Sequence, residues 1–213
     1  IDSAVASLIA ASRHRRLLFL SFNYGQRNAR ELVAARQIAS LFRAKGPHDE
    51  VAIDLAGVTR SGCSELLADA DGPPTGQDSS RNYYVPGRNL IFLAHAAAIA
   101  EAAHLDTIYI GSNLQDAQDP AGRGYPDSGK AFIRLAEKTL NCGLKFSSGV
   151  TVEAPLLGMN KFEVIRHGHR RRFDFSLTWS CYRNETKACA VCPACRGRLL
   201  NFHWAGLVDP IPY

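Results

Sequence analysis

The sequence predicts an α/β fold, with a mostly parallel sheet, helices on both of its faces, and a C-terminal metal-binding segment. Helix-like and strand-like stretches alternate along most of the chain. A loop of small residues, Gly111-Ser112-Asn113, follows one strand, where open α/β sheets bind their ligands. Four cysteines lie within fifteen residues near the C-terminus: Cys181, Cys189, Cys192 and Cys195.

The first quarter of the chain predicts two helices and two strands. Apolar residues recur at helical spacing in residues 3–11 and 27–42. Short apolar runs at 17–22 and 51–55 predict buried strands, since they are too short for buried helices. Helix and strand therefore alternate from the start of the sequence.

The rest of the chain continues this alternation. Residues 90–103 are apolar almost all round and predict a buried helix, and further helices are expected at 130–141 and 160–167. Strands are expected at 106–110 and 150–152. Two stretches rich in Gly, Asp, Ser or Pro predict long loops, at 58–86 and 115–125.

Composition indicates a globular protein. The chain has 213 residues, of which 46% are hydrophobic and 21% charged, so it can bury a substantial core. No apolar run approaches the length of a membrane span, and no signal peptide is visible. Because Cys63 and Cys142 are isolated and the other cysteines suit a metal, we expect a reducing, cytoplasmic location.

The cysteine spacing, C-x7-C-x2-C-x2-C, predicts a metal site. Four thiolates can close a tetrahedron around Zn²⁺ and leave no open position, so the expected role is structural. The alternatives are a disulfide set, buried cysteines that lie together by coincidence, and an iron–sulfur cluster. The common iron–sulfur run ends in Cys-Pro, whereas Arg196 follows Cys195 and Pro193 precedes it. Basic residues that flank the site would balance its negative charge: Arg183, Lys187, Arg196 and Arg198.

The net charge of +5 is weak evidence for a nucleic-acid partner. Residues 170–172 form a dense basic run, and Phe173 and Phe175 after it alternate like core residues. A solvated basic surface, or binding of phosphate-bearing small molecules, accounts better for the arginines.

Several segments along the chain match one known family. They are 20–27, 31–38, 84–89, 108–113, 124–127, 154–157 with Lys161, 177–182 with the cysteine cluster, and Asp209-Pro210 with Tyr213. Together they resemble the 7-cyano-7-deazaguanine synthases of queuosine biosynthesis, which belong to the PP-loop ATP pyrophosphatases. The resemblance runs end to end and in order, and the cysteine segment is its most specific part.

The resemblance implies a fold and a reaction. It implies a Rossmann-like ATP-binding domain over residues 1–176 and a zinc-binding segment over 177–213. Such enzymes convert 7-carboxy-7-deazaguanine and ammonia to the nitrile. They use ATP with Mg²⁺ to adenylate the carboxylate, ammonia displaces AMP to give an amide, and the amide is then activated and dehydrated. The implied partners are these small molecules, with one structural Zn²⁺, and a homodimer is compatible with them.

The resemblance also implies site residues. Asp2, Ser3, Arg88 and Lys161 would be catalytic and act on the phosphates. The nucleotide would be held by Ile1, Asp2, Ser3, Ala4, Tyr24, Gln26, Arg27 and Gly111. The substrate base would contact Asn89, Tyr125 and Asp127.

Most of these residues also have a simpler interpretation. Tyr24, Gln26 and Arg27 can form an ordinary surface loop. Asp2 and Ser3 can cap the first helix, and Asn89 can cap the helix that follows it. Arg88 can pair with Asn89, Asp127 can be an acid in a turn, and Lys161 can be a surface lysine at a helix start.

The sequence departs from the family pattern at three places. Relatives carry S-G-G-x-D-S, and the chain begins at the last three of these positions, so we expect a fragment that binds ATP poorly. Where the family has Y-P-D-C-R, this chain has Tyr125-Pro126-Asp127-Ser128-Gly129, so the cysteine and arginine are replaced. Ala190 replaces a glycine after the second cluster cysteine. These changes leave three alternatives open: a relative acting on another carboxylated substrate, one acting on tRNA, or an inactive zinc-stabilised remnant.

Overall fold

The computed structural model describes residues 1–26, 28–55, 64, 66–67, 84–117, 124–145, 149–183 and 186–213. It divides into two units. Unit 1 consists of residue 1, Ala11–Pro86 and Phe162–Tyr213, and unit 2 of Asp2–Ala10 and Gly87–Lys161. The boundary predicted at residue 177 stays a prediction, and all of 177–213 lies in unit 1.

Unit 1 is built on a parallel strand pair. Strands β1 (Phe19–Asn23) and β2 (His48–Ala52) pair in parallel, with Phe19 opposite His48. Helix α2 (Arg30–Ser40) is the crossover that a parallel pair requires. The Phe19 and Phe42 rings stack with centroids 5.4 Å apart, which holds the start of β1 beside the turns after α2.

The second part of unit 1 is helical. It contains α6 (Lys161–Arg170), a 3₁₀ turn at Phe175–Leu177, and α7 (Pro193–Ala205). Lys161, the first residue of α6, is assigned to unit 2. Edge-to-face contacts link Phe175 to Phe173 and to Phe202, with centroids 5.1 and 5.5 Å apart. Phe173 and Phe175 are buried, as their alternating spacing predicts.

Unit 2 contains a second parallel pair, β3 (Thr107–Tyr109) with β4 (Thr151–Glu153). Most of α1 (Asp2–Arg13) also belongs to it. Its apolar core joins Leu93, Ile133, Ala136 and Val152. The remaining elements of unit 2 are α3 (Arg88–Ala102), α4 (Leu114–Ala117), a 3₁₀ turn at Pro126–Ser128, and α5 (Lys130–Gly143).

The predicted α/β class, with parallel strands and helices, is confirmed. Strand β2 starts three residues earlier than predicted, because ladder pairing with β1 extends it over the polar residues His48 to Glu50. Part of the predicted loop 115–125 is the short helix α4, and the rest of that loop to residue 123 lies outside the described residues. Most of the predicted loop 58–86 lies outside them as well.

Helix α7 is absent from the sequence prediction, although its ends carry clear signals. Pro193 occupies its first turn, and Gly206 follows its last residue with φ 76°. Proline at a helix start and glycine just past its end are the usual pairing. Within the described ranges, none of the helices is long and apolar enough to span a membrane.

Candidate functional site

The first turn of α1 lies against the end of β3. A Cβ atom placed on Gly111 would lie 2.6 Å from the backbone nitrogen of Ser3 and 2.9 Å from the carbonyl carbon of Asp2. Only glycine permits this approach of two backbones. The structure therefore brings together Asp2, Ser3 and Gly111, three of the residues predicted to bind nucleotide.

Lys161 forms an ion pair with Asp2, Nζ to Oδ2 at 3.0 Å. Burial alone would raise the pKa of Asp2, but the Lys161 ammonium, its hydrogen bond and other favourable contributions together outweigh burial, and the pKa is lowered. Burial would likewise lower the pKa of Lys161, and the carboxylates of Asp2 and Asp116 raise it instead. Both groups are therefore charged at neutral pH. The other oxygen, Asp2 Oδ1, is buried and accepts no hydrogen bond from the described residues.

A polar loop after β3 supports this pair. Asn113 is fully buried, and its Nδ2 donates to Asp116 Oδ2 at 2.7 Å while its Oδ1 accepts the Asp116 N–H at 3.0 Å. Gln115 Oε1 accepts the backbone N–H of Lys161 at 3.3 Å. Burial raises the pKa of Asp116, and Lys161 partly offsets that effect. Sequence reasoning placed Asn113 in the loop expected to bind a ligand but gave Gln115 and Asp116 no role, although polar residues after a strand end are the usual signal.

Asn89 and Asp127 contact each other, and the interpretation of Asn89 as a helix cap is wrong. Asn89 lies inside the first turn of α3, whose N-cap is Gly87 with φ 70°. The Asp127 carboxylate accepts the Asn89 N–H at 3.3 Å, and Asn89 Nδ2 donates to the Asp127 carbonyl at 2.9 Å. The cap thus comes from Asp127, an acid near α3 in space and distant in sequence.

The other residues predicted for unit 2 lie around this region. The Arg88 guanidinium lies 5.9 Å from the centroid of the Phe92 ring. The Tyr125 N–H donates to the Asp116 carbonyl at 2.8 Å. Burial raises the pKa of the Tyr125 hydroxyl, and Asp116 raises it further. Ala4 is buried within α1.

Tyr24 and Gln26 belong to unit 1, in the turn after β1. Gln26 Oε1 accepts the Tyr24 N–H at 2.8 Å, and Gln26 Nε2 donates to the Phe22 carbonyl at 3.2 Å. Gly25, with φ 78°, supplies the left-handed residue of the turn. Gln26 therefore fixes the shape of this loop. Arg27 lies outside the described residues, and the nucleotide-binding role of all three stays a prediction.

The four cluster cysteines converge in unit 1. Their sulfurs all lie within 4.8 Å of one another, and Cys189 Sγ is 3.9 Å from Cys195 Sγ. Zn–S bonds of about 2.3 Å would place the sulfurs of a tetrahedral site about 3.8 Å apart. None of the four is in a disulfide, so the disulfide alternative is wrong.

Backbone N–H groups point at the sulfurs. Cys192 Sγ accepts the Cys195 N–H at 3.4 Å and so caps α7, and Cys189 Sγ accepts the Cys192 N–H at 3.3 Å. The x2 spacing thus makes each sulfur an acceptor for the next cysteine in sequence. Burial would raise the pKa of Cys189, but the N–H groups of Cys192 and Val191 lower it to about 7. Burial raises the pKa of Cys192 and of Cys195. Because four closely spaced thiols, three of them buried, ionise together only beside a cation, the cluster fits a metal ion.

Arg198 does not act as a flanking charge for this cluster, so that prediction is wrong for it. It is buried, and its guanidinium donates to Asp209 and to the Thr178 hydroxyl. The Asp209 carboxylate also accepts the Tyr213 hydroxyl at 2.5 Å. The sequence carried no signal for this network beyond the resemblance at Asp209 and Tyr213.

Comparison with known proteins agrees with the predicted resemblance. A family model described as "Queuosine biosynthesis protein QueC" matches residues 1–206. A 7-cyano-7-deazaguanine synthase of Aliarcobacter butzleri is 37% identical over 216 residues, covering 100% of this chain and 91% of the relative. Proteins of the same name from Nautilia profundicola and Oceanobacillus iheyensis are 36% and 34% identical, each covering 100% of this chain and 94% of the relative. No solved structure matches the chain.

Proposed function

Because this chain belongs to the family of queuosine biosynthesis protein QueC, we propose that it is an ATP-dependent 7-cyano-7-deazaguanine synthase. The reaction joins 7-carboxy-7-deazaguanine and ammonia and forms the nitrile. The observation that carries the proposal is the match along the whole chain to relatives of that name, which the chain covers to 91–94% of their length.

The geometry around α1 supports an assignment of the phosphate site. The N–H groups in the first turn of a helix bind phosphate well. The first turn of α1 is held in place because the backbone of Asp2 and Ser3 packs directly against Gly111. Lys161 supplies a partly buried positive charge next to it. We therefore assign the pyrophosphate to the turn at Asp2 and Ser3 and charge neutralisation to Lys161. Asp2 would contact Mg²⁺ through Oδ1, the buried oxygen that accepts no hydrogen bond from the described residues.

The substrate base is assigned to the region of Tyr125 and Asp127. Both follow the loop at Asn113 and Asp116, on the same unit as the phosphate site. Because the Asp127 Oδ2 atom already caps α3, Asp127 would use its other carboxylate oxygen toward a base. Asn89 then acts indirectly, by holding Asp127.

The four cysteines are assigned to one structural Zn²⁺. Four soft thiolate ligands in a tetrahedral spacing favour zinc, and no ligand position is left for substrate. Bound there, the ion holds the segment around Cys181 and the start of α7 in place. We further expect a cytoplasmic homodimer. Leu200 and Trp204, one turn apart on α7 and 45% and 48% exposed, support self-association.

The test is direct. Purified protein is incubated with ATP, Mg²⁺, ammonia and 7-carboxy-7-deazaguanine, and products are identified by mass spectrometry. We expect AMP, pyrophosphate and the nitrile, each dependent on the carboxylated base. The amide without the nitrile, or AMP formed only when tRNA is added, would contradict the proposal.

A further inference from the structure

Asn28 joins the turn after β1 to the cysteine cluster. Its Nδ2 donates to the carbonyl of Cys181 at 2.7 Å, although 153 positions separate the two residues. Its Oδ1 accepts the backbone N–H of Arg30 at 2.8 Å, at the start of α2. Since one partner is a donor and the other an acceptor, only a neutral amide in one orientation satisfies both.

A second contact reinforces the first. The Arg30 guanidinium lies 5.3 Å from the centroid of the Trp179 ring. Trp179 packs against the buried cluster that contains Cys181, Cys192 and Cys195. The start of α2 therefore contacts the metal-binding segment twice. Asn28 contacts the Cys181 carbonyl, and Arg30 contacts the Trp179 ring.

Cys181 is fixed from two sides. Its sulfur accepts the N–H groups of Arg183 and Cys189, both at 3.4 Å, and belongs to the cluster. Its carbonyl is held by Asn28. A metal ion bound to the sulfur fixes this stretch of backbone, and its removal leaves the carbonyl free to shift.

We propose that Asn28 is a positioning residue through which the metal centre holds the turn of Tyr24 and Gln26 in its nucleotide-binding shape. The inference rests on the proposed function and on the nucleotide-binding role that the family resemblance implies for Tyr24 and Gln26. Gln26 locks the turn to β1, and Asn28, two positions further along the chain, is held by the Cys181 carbonyl and the start of α2. Metal occupancy and ATP affinity are therefore coupled, and the coupling acts in both directions.

The first experiment replaces Asn28 by aspartate. The carboxylate still accepts the Arg30 N–H but cannot donate to the Cys181 carbonyl. We expect the KM for ATP to rise about tenfold with kcat changed less than about threefold. Zn²⁺ should pass to a chromogenic chelator faster than from the unmodified protein.

Asn141→Asp is the matched control. Asn141 bridges the N–H and the carbonyl of Val150 in the same way, at 2.7 and 2.9 Å, and lies in unit 2. It should lower thermal stability and leave the KM for ATP unchanged. A KM that stays within about twofold in Asn28→Asp, or rises equally in both variants, overturns the proposal.

The second experiment needs no variant. The affinity of the unmodified protein for Zn²⁺ is measured by chelator competition, with and without saturating Mg·ATP and without the carboxylated base. We expect Mg·ATP to raise the Zn²⁺ affinity about tenfold. An affinity unchanged within about twofold sinks the coupling. If the coupling is present but the holoprotein makes no nitrile in the assay above, the proposed function falls and the coupling stands.

Discussion

Arg198 donates to both carboxylate oxygens of Asp209, through Nε at 2.7 Å and Nη2 at 2.9 Å. Each of the two side chains is 1% exposed. The same guanidinium donates to the Phe175 carbonyl at 3.2 Å and to the Thr178 hydroxyl at 2.7 Å. One buried cation therefore joins α7, the segment before the cysteines and the residues after α7, with its donors well satisfied.

Replacing Asp209 by asparagine should be severe. The Arg198 charge would remain buried without its counter-ion, and we expect a loss of about 3–5 kcal/mol in the free energy of unfolding. Urea denaturation of the metal-loaded protein measures it. Arg36→Met is the control, because the Arg36 side chain, which is paired with Glu50, is 54% exposed. This variant should lose less than about 1 kcal/mol in the free energy of unfolding. Similar losses in the two variants would contradict this account.

Gly111→Ala should impair nucleotide binding. The added Cβ would overlap the backbone of Asp2 and Ser3, so the first turn of α1 must move, and displacements of about 1 Å cost about a hundredfold in rate. Steady-state kinetics should show this loss. Gly158→Ala is the control, since its Cβ would meet nothing within 4 Å. Equal activity of the two alanine variants would refute the assigned phosphate site.

The sequence was informative where chemistry is local. The cysteine spacing predicted a metal site, and the sulfurs do converge, because each x2 step lets an N–H meet the preceding cysteine sulfur. Local spacing could not indicate that Asp127 caps α3 or that Arg198 pairs with Asp209, since those partners meet only through tertiary structure. The Lys161–Asp2 pair joins residues 159 positions apart, and only the family pattern brought both into one site.

Lys161→Met should lower nitrile formation about a hundredfold, because a charge next to the phosphate site is lost. It should also change the dependence of stability on pH. The pKa of Asp2 lies below its ordinary 3.8 in the folded protein, so Asp2 stabilises the fold above pH 3.8 and loses that effect as pH falls through its lowered pKa.

Without Lys161, Asp2 loses the largest contribution that lowers its pKa. Its pKa therefore rises, and its ionisation stabilises the variant less than the unmodified protein. The difference in unfolding free energy between the unmodified protein and Lys161→Met should therefore widen between about pH 3 and pH 6. Urea titrations across that range test it, and a difference that does not vary with pH would argue against the buried pair.

Cys192→Ser should abolish stable metal binding. Cys192 is fully buried, and its sulfur is both a cluster member and the cap of α7, so a hydroxyl cannot replace it. The metal content, measured by elemental analysis, should fall from one ion per chain to well below one. Cys142→Ser should keep the full metal content, because Cys142 is exposed on α5. Full metal content in Cys192→Ser would exclude the four-cysteine site.

Ala190→Gly should stabilise the protein. Ala190 has φ 59°, a left-handed conformation that costs a residue with a Cβ about 1–2 kcal/mol. Thermal unfolding of the metal-loaded variant should show a higher Tm. The matched change Ala194→Gly, inside α7, should lower stability by about 1 kcal/mol. A lower Tm for Ala190→Gly would contradict the claim that the backbone at Ala190 is strained.

The division of the chain into units has a consequence for its synthesis. Unit 1 is interrupted in sequence, because Ala11–Pro86 and Phe162–Tyr213 are separated by nearly all of unit 2. A ribosome therefore releases the complete Gly87–Lys161 segment before it has made Asp209, the partner of Arg198. Until that last segment arrives, β1, β2 and α2 lack half of the unit they belong to. We expect the first half of unit 1 to depend most on chaperones during translation, and metal insertion to come after the chain is finished.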